Sequence, residues 1–361
     1  MDTPAVSAQR TSYDDLRARV DASLRVFLRR ATAPLRDIAP DLAPFGEAVE
    51  TFVLDGGKRL RPAFCYWGHR AGGGADSDAI VNASASLELL QACALVHDDV
   101  IDASDTRRGK PSVHRRFATI HREAGWRGDP DAFGAATAIL LGDLALIWAD
   151  TMLAESGVGA RELQRGLSTW DTMRVEVMCG QYLDVVEQAR SGGSVERALT
   201  VARYKSAKYT VERPLQLGAQ LAGADEDVLR ALGDYGLPLG EAFQLRDDLL
   251  GVFGDPAATG KPAGDDLREG KRTVLVAFAA EAATPEQRAS LDQLLGNPTL
   301  DDAGVATVCE ILVATSAVAA VERLIVERLD AARTALRSAA INPPAAAALE
   351  ELAAAATDRI R

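Results

Sequence analysis

The chain has 361 residues, enough for one large domain or two small ones, and its 47% hydrophobic and 25% charged content excludes wholesale disorder. Forty Lys and Arg against fifty-two Asp and Glu leave a net charge of −12, which argues against a fold-wide attraction to nucleic acid or an anionic membrane. Aromatics are only 5%, so platforms for stacking bases are scarce.

The four cysteines, Cys65, Cys93, Cys179 and Cys309, lie far apart without a Cys-x-x-Cys, and are expected to be buried free thiols in a reducing compartment. Residues 1–15 carry acids and no apolar core, unlike a signal peptide. The most apolar stretch, 135–149, is interrupted by Asp143 and falls short of spanning length. The expectation is a cytoplasmic protein with no transmembrane segment and no nucleic-acid partner.

In chain order, apolar residues recur at three- and four-residue spacing over 16–35, 63–72, 77–101, 133–154, 162–186, 195–221, 228–253, 273–280 and 305–336, which predicts helices there. Alanine and leucine dominate, as helix propensity favours. No period-two alternation bounded by turns occurs, so strand content is expected to be close to nil. Gly72-Gly73-Gly74 with Asp76 and Ser77 reads as loop and N-cap; 125–131, 191–194 and 297–298 read as loops, and Asn342-Pro343-Pro344 opens a last short helix. Residues 254–266 form a long polar Gly/Pro segment of a kind that often serves function. The expected architecture is all-α, one large bundle of long helices around a central cavity. It forms a single domain over 12–361 after a disordered 1–11.

The chemistry concentrates in charged clusters at helix ends. Asp98 and Asp102 are four residues apart on one helix face, with Asp99 offset by one. Like charges this close require a cation, and none is nearby on that face. Two carboxylates one turn apart suit Mg²⁺, which takes few protein oxygens and keeps waters and substrate phosphates. Asp247 and Asp248 end a second apolar helix, but Gly251 stands where a one-turn partner would. Six of the forty basic residues are lysines: Lys58, Lys110, Lys205, Lys208, Lys261 and Lys271. All lie in or beside candidate anion-binding segments, including Gly56-Gly-Lys-Arg-Leu-Arg-Pro62, Thr106-Arg-Arg-Gly-Lys110, Gly260-Lys-Pro-Ala-Gly-Asp-Asp266 and Gly270-Lys-Arg-Thr273. A cavity with acids on two walls, cations at the rim and apolar helices below suits a ligand with a diphosphate head and a hydrocarbon tail.

These motifs resemble those of the trans-isoprenyl diphosphate synthase (polyprenyl synthetase) family, and the geranylgeranyl diphosphate synthases within it most of all. The resemblance runs over about residues 50–280: Gly-Gly-Lys-Arg-Leu-Arg-Pro at 56–62, Asp-Asp-x-x-Asp at 98–102, Arg-Arg-Gly at 107–109, Phe-Gln-x-x-Asp-Asp at 243–248 and Gly-Lys-x-x-Gly-Asp at 260–265. It implies the isoprenoid synthase fold, a homodimer and three Mg²⁺ ions per site. It further implies that Asp98, Asp102 and Asp247 ligate metal, with Asp99 and Asp248 in support. Lys58, Arg61, Gln91 and Arg108 would hold isopentenyl diphosphate. Arg107, Lys205, Lys261 and Lys271 would hold the allylic diphosphate (dimethylallyl, geranyl or farnesyl), with Ser206 and Gln244 near the reacting carbons. Many relatives carry a third acid where Gly251 stands. Segment 254–266 suits a lid.

Product length is then a question of volume below Asp98. Ala94 and Cys93 do not block the path as an aromatic would, which disfavours a C15 stop and favours C20, with Leu90 and Leu87 deeper as the floor. His97 is read as a packed or supporting histidine. Asp143 and Asp184 serve either the site or structural pairs. Trp67, Trp126, Trp148 and Trp170 read as packing residues. The competing readings are a farnesyl or longer-chain synthase, a non-catalytic partner subunit and a terpene cyclase. The intact 98–102 cluster argues against the partner subunit, and the second set of cations against the cyclase.

Overall fold

The computed structural model describes residues 12–190, 192–254, 264–297 and 299–357. The expected disorder of 1–11, most of the 254–266 segment and Lys261 lie outside them. The helices are α1 (Tyr13–Ile38), α2 (Ala43–Leu54), α3 (Leu60–Ala71), α4 (Asp78–Ile101), α5 (Val113–Glu123), α6 (Pro130–Ala154), α7 (Ala160–Ala189), α8 (Val195–Val201), α9 (Arg213–Ala222), α10 (Glu226–Phe253), α11 (Asp265–Arg268), α12 (Val274–Ala282), α13 (Pro285–Leu294), α14 (Asp302–Ala314), α15 (Ala317–Ser338) and α16 (Pro343–Thr357). Ser12, Ser77, Asp225, Thr273 and Asp301 each cap a helix by accepting a backbone N–H.

Helix α4 is the axis. Leu87, Leu89, Leu90, Cys93 and Val96 bury its different faces, and α6 and α3 pack against it. Helix α10 joins two apolar cores. Leu232, Tyr235 and Leu239 pack with α1–α7, α9, α16 and the end of α15, whereas Leu245, Leu249 and Val252 pack with α8 and α11–α15.

Strand content is close to nil, as expected: the described strands are one short hairpin, Thr106–Arg107 paired with Lys110–Pro111. Arg108 and Gly109 turn it, both with positive φ, as a two-residue hairpin loop requires. Other expectations are corrected. The continuous helix over 305–336 breaks at Thr315–Ser316, where Ser316 is left-handed and the axis bends by 62°. The 195–221 helix contains a π-helical segment, Ala202–Glu212. Pro214 follows it, and its ring would clash with the carbonyl four residues back in a tight α-turn; the wider turns relieve this. The acids at 247–248 do not end their helix, because α10 continues to Phe253.

Cys65 and Cys93 are buried, but Cys179 is exposed and Cys309 half-buried. Trp67, Trp148 and Trp170 are buried, whereas Trp126 is exposed and rests edge-on against Phe133. The 135–149 stretch lies inside α6, whose 25 residues are long and apolar enough to cross a membrane, as are those of the largely buried α4.

Gly180 of α7 sets the approach of the π segment. A Cβ there would lie 2.5 Å from the Tyr204 carbonyl carbon and 2.6 Å from the Lys205 Cα. Gly180→Val is therefore expected to cost roughly 1–3 kcal/mol in urea unfolding and to lower activity by displacing Lys205. Parent-like stability and turnover would contradict this packing.

Candidate active site

A cavity of about 780 Å³ opens between α3, α4, α7, the π segment and α10. On α4 the lining residues are Glu88, Gln91, Ala94, Leu95 and Asp98, a stripe at helical spacing. Leu90 and Cys93 point away from that stripe and are buried in the core, with the Cys93 sulfur 3.8 Å from His97 Nδ1. Of the three expected chain-length residues, only Ala94 therefore lines the cavity.

The first acidic wall is held by cations from distant parts of the chain. Lys205 Nζ donates to Asp98 Oδ1 at 3.1 Å and to Asp184 Oδ2 at 2.6 Å, and Gln181 Nε2 donates to Asp98 at 3.0 Å. Burial opposes ionisation of Asp98, but Lys205, Lys271 and Arg107 outweigh it and hold the carboxyl well below its usual range. Asp99 is fully buried and accepts from Arg107 Nε at 2.9 Å. Arg107 thus touches the acidic cluster itself, at 3.5 Å from Asp98 as well.

Asp102 lies behind the lining. Its side chain is 1% exposed and pairs with Lys271 at 3.2 Å, yet neither oxygen accepts a hydrogen bond. Burial raises its pKa against the pull of Lys271. A buried carboxylate with unused acceptors is chemically suited to a hard cation. Among the described residues no three His, Cys, Asp or Glu side chains form a ready metal cage. The acids instead form two half-sites, which fits an ion that fills its shell with water and phosphate oxygens.

On the opposite wall Asp247, Asp248, Gln244 and Gly251 line the cavity from α10. Gln244 Nε2 donates to Asp248 Oδ1 at 2.7 Å. Burial pushes the Asp248 carboxyl up to about 7; the Gln244 bond opposes this, and Asp266 and Asp247 add to it. Lys271 Nζ lies 3.2 Å from Asp102, 3.4 Å from Asp266 and 2.6 Å from Glu269, so one ammonium joins the two walls.

The third region is the glycine turn before α3. Lys58, Arg61, Gln91 and Arg108 all line the cavity. Arg61 Nη2 donates to Thr210 at 2.7 Å, with its guanidinium over the Tyr209 ring at 4.5 Å. Gln91 Oε1 is buried without a hydrogen bond. Arg108 donates to the Asp55 carbonyl at 2.8 Å. Arg59, between the exposed Lys58 and the half-buried Arg61, is buried and tied to Glu88 at 2.5 Å and Asp21 at 2.8 Å. Ser206 also lines the cavity, and so do the apolar Val177, Val201, Ala202 and Phe243.

Sequence reasoning overreached for two lysines. Lys208 pairs with Glu176 and Glu212, and Lys110 pairs with Asp55 on an exposed edge. His97 Nε2 sits 3.0 Å from the Ile139 carbonyl, in the packing of α4 on α6. Asp143 is mostly exposed, but Asp184 belongs to the site. Gln181 and Glu269 were missed. For Gln181 the signal was its place three residues before Asp184 on one helix face; for Glu269 there was none.

Residues 43–312 match the family model described as "Polyprenyl synthetase", and the chain belongs to that family of prenyltransferases. It is similar in structure to a geranylgeranyl pyrophosphate synthase from Corynebacterium glutamicum complexed with isoprenyl diphosphate and magnesium. The two share a TM-score of 0.93 and 42% identity over 97% of this chain and 100% of that one. In sequence it is 33% identical over 339 residues to the geranylgeranyl diphosphate synthase of Mycobacterium tuberculosis, 91% of this chain and 89% of that protein. It is 32% identical over 254 residues to the geranylfarnesyl diphosphate synthase of Aeropyrum pernix, covering 69% and 74%.

The raised carboxyl of Asp248 has a stability consequence in metal-free protein. Its folded pKa of about 7 exceeds the ordinary 3.8, so the folded state holds a proton that the unfolded state releases between those values. The associated stability is fully present below the lower value and is lost as pH rises through the upper one. Asp248→Asn is expected to lose less stability than the parent between pH 5 and pH 8 in urea unfolding. Equal losses would contradict the assignment.

Proposed function

We propose that this enzyme condenses isopentenyl diphosphate with an allylic diphosphate to give geranylgeranyl diphosphate, C20. The observation that carries the reading is the pairing of two acidic walls, bridged by Lys271, with a separate cationic pocket of Lys58, Arg61, Gln91 and Arg108. One substrate diphosphate belongs between the walls and the other in the cationic pocket. Asp98, Asp102 and Asp247 would hold magnesium, three ions per site on the family pattern, with Asp99 and Asp248 supporting its waters. Bound magnesium would neutralise the charge that develops on the leaving diphosphate.

The chain's own groups do the rest. Lys205 and Lys271 present ammonium groups to the departing diphosphate, and Arg107 keeps Asp99 and Asp98 in place. The allylic C–O bond breaks with its electron pair leaving on the diphosphate. The double bond of isopentenyl diphosphate forms the new C–C bond, and the proton it sheds passes to the released diphosphate. Ser206 and Gln244 stand beside the reacting carbons. Val177, Val201, Ala202 and Phe243 exclude water from the carbocation. The small Ala94 leaves room for a tail beyond C15, and Leu90 and Cys93 act through packing behind that wall.

An apolar outer face supports a homodimer. Ile139, Leu140 and Ile147 of α6 and Val175, Met178 and Tyr182 of α7 are exposed, the kind of patch a twofold interface covers. Leu140→Arg is expected to shift the sedimenting species toward monomer; an unchanged sedimentation coefficient would remove this face as the interface.

Radiolabelled isopentenyl diphosphate with Mg²⁺ and each allylic primer should yield C20 by reverse-phase chromatography. Consumption of an allylic diphosphate alone would indicate a cyclase, and no consumption with any primer a non-catalytic subunit. Ala94→Phe should shorten the product; an unchanged length would refute its place on the tail wall. Lys58→Ala should raise KM for isopentenyl diphosphate about tenfold or more while leaving the allylic KM near the parent value. Equal effects on both would contradict the two-pocket assignment.

A further inference from the structure

The second acidic wall lacks an acid at its one-turn position, and the structure shows what fills that space. Gly251 has no unusual backbone geometry, so glycine is not there for its conformational freedom. Its missing side chain leaves room for a neighbouring one. A Cβ at 251 would collide with Oδ2 of Asp266 and lie 2.8 Å from its Cγ. The carboxylate of Asp266, delivered from α11 on the far side of the 254–266 segment, stands where a side chain at 251 would begin. Gly251, Asp266, Asp247 and Asp248 all line the cavity. Lys271 Nζ lies 3.4 Å from Asp266 Oδ1 and 3.2 Å from Asp102 Oδ2.

We propose that Asp266 is the third carboxylate of the second wall, holding the water shell of a divalent cation shared with the substrate diphosphate, and that Gly251 leaves the space this carboxylate occupies. The inference rests on the function proposed above and deepens it. A carboxylate carried on α11 differs from one carried on α10. Its position depends on how α11 and Lys271 are seated, so cation binding on this wall is tied to the placement of the 264–271 stretch. A purely structural Asp266, present only as a counter-charge for Lys271, would leave cation binding by the other acids intact.

The test uses the full chain and Mn²⁺ as a probe for Mg²⁺, read as free Mn²⁺ by electron paramagnetic resonance in the presence of inorganic pyrophosphate, so no turnover is needed. Asp266→Asn is expected to weaken Mn²⁺ binding about tenfold or more. Gly251→Asp alone is expected to weaken it too, because the new side chain collides with Asp266. The paired change Gly251→Asp with Asp266→Ala moves the acid back onto α10 and is expected to restore binding to within about threefold of the parent. Parent-like binding by Asp266→Asn, or a paired variant no better than either single one, would overturn the proposal while leaving the parent's binding as support for the wider reading. Failure of the parent itself to bind Mn²⁺ with pyrophosphate would overturn both.

Discussion

Burying carboxylates costs free energy unless cations sit against them, and this molecule is arranged around that requirement. Asp98, Asp99, Asp102 and Asp184 are brought together by α4 and α7, where their mutual repulsion would be severe alone. Lys205 answers Asp98 and Asp184, Arg107 answers Asp99, and Lys271 answers Asp102 and Asp266. Each cation comes from a different element: the π segment, the hairpin and the stretch before α12. The charge requirement therefore draws three parts of the chain onto one helix end, and the cavity is the space left between them.

The same arrangement accounts for reactivity. A diphosphate entering between the walls meets ammonium groups already desolvated and aimed, so little reorganisation is left for the moment of bond breaking. The unused acceptors of Asp102 and the high carboxyl of Asp248 mark a site short of positive charge. The apolar lining beneath serves a different need, since a carbocation survives only where water is kept out. Polar rim and apolar floor are two consequences of one substrate class.

Much of the site was legible because its residues sit at short, rigid spacings. Asp98 and Asp102 are one helical turn apart, and Gly56-Gly57-Lys58 announces a turn feeding a helix. What stayed hidden depended on contacts between distant segments. Nothing in the sequence says that Lys205 reaches Asp98, that Gln181 joins it, or that Lys208, three residues further along, turns instead to Glu176. The stripe 88–91–95–98 decides which side of α4 faces the cavity. Volume reasoning alone therefore picked Ala94 correctly as a lining residue while misplacing Leu90 and Cys93 there. The π segment was foreshadowed only by Pro214, and the break at Ser316 by nothing in the apolar period. Gly251 read as a deficit because its partner in space, Asp266, is fifteen positions away.

The central claim is that both acidic walls act together on one diphosphate. Calorimetric titration of inorganic pyrophosphate in the presence of Mg²⁺, with the parent, Asp102→Asn, Asp247→Asn and the double variant, tests it most directly. Each single change is expected to weaken binding by roughly tenfold or more, and the double variant to be little worse than the weaker single, as for two halves of one clamp. Parent-like affinity in either single variant, or fully additive losses in the double, would mean that the walls do not share a ligand.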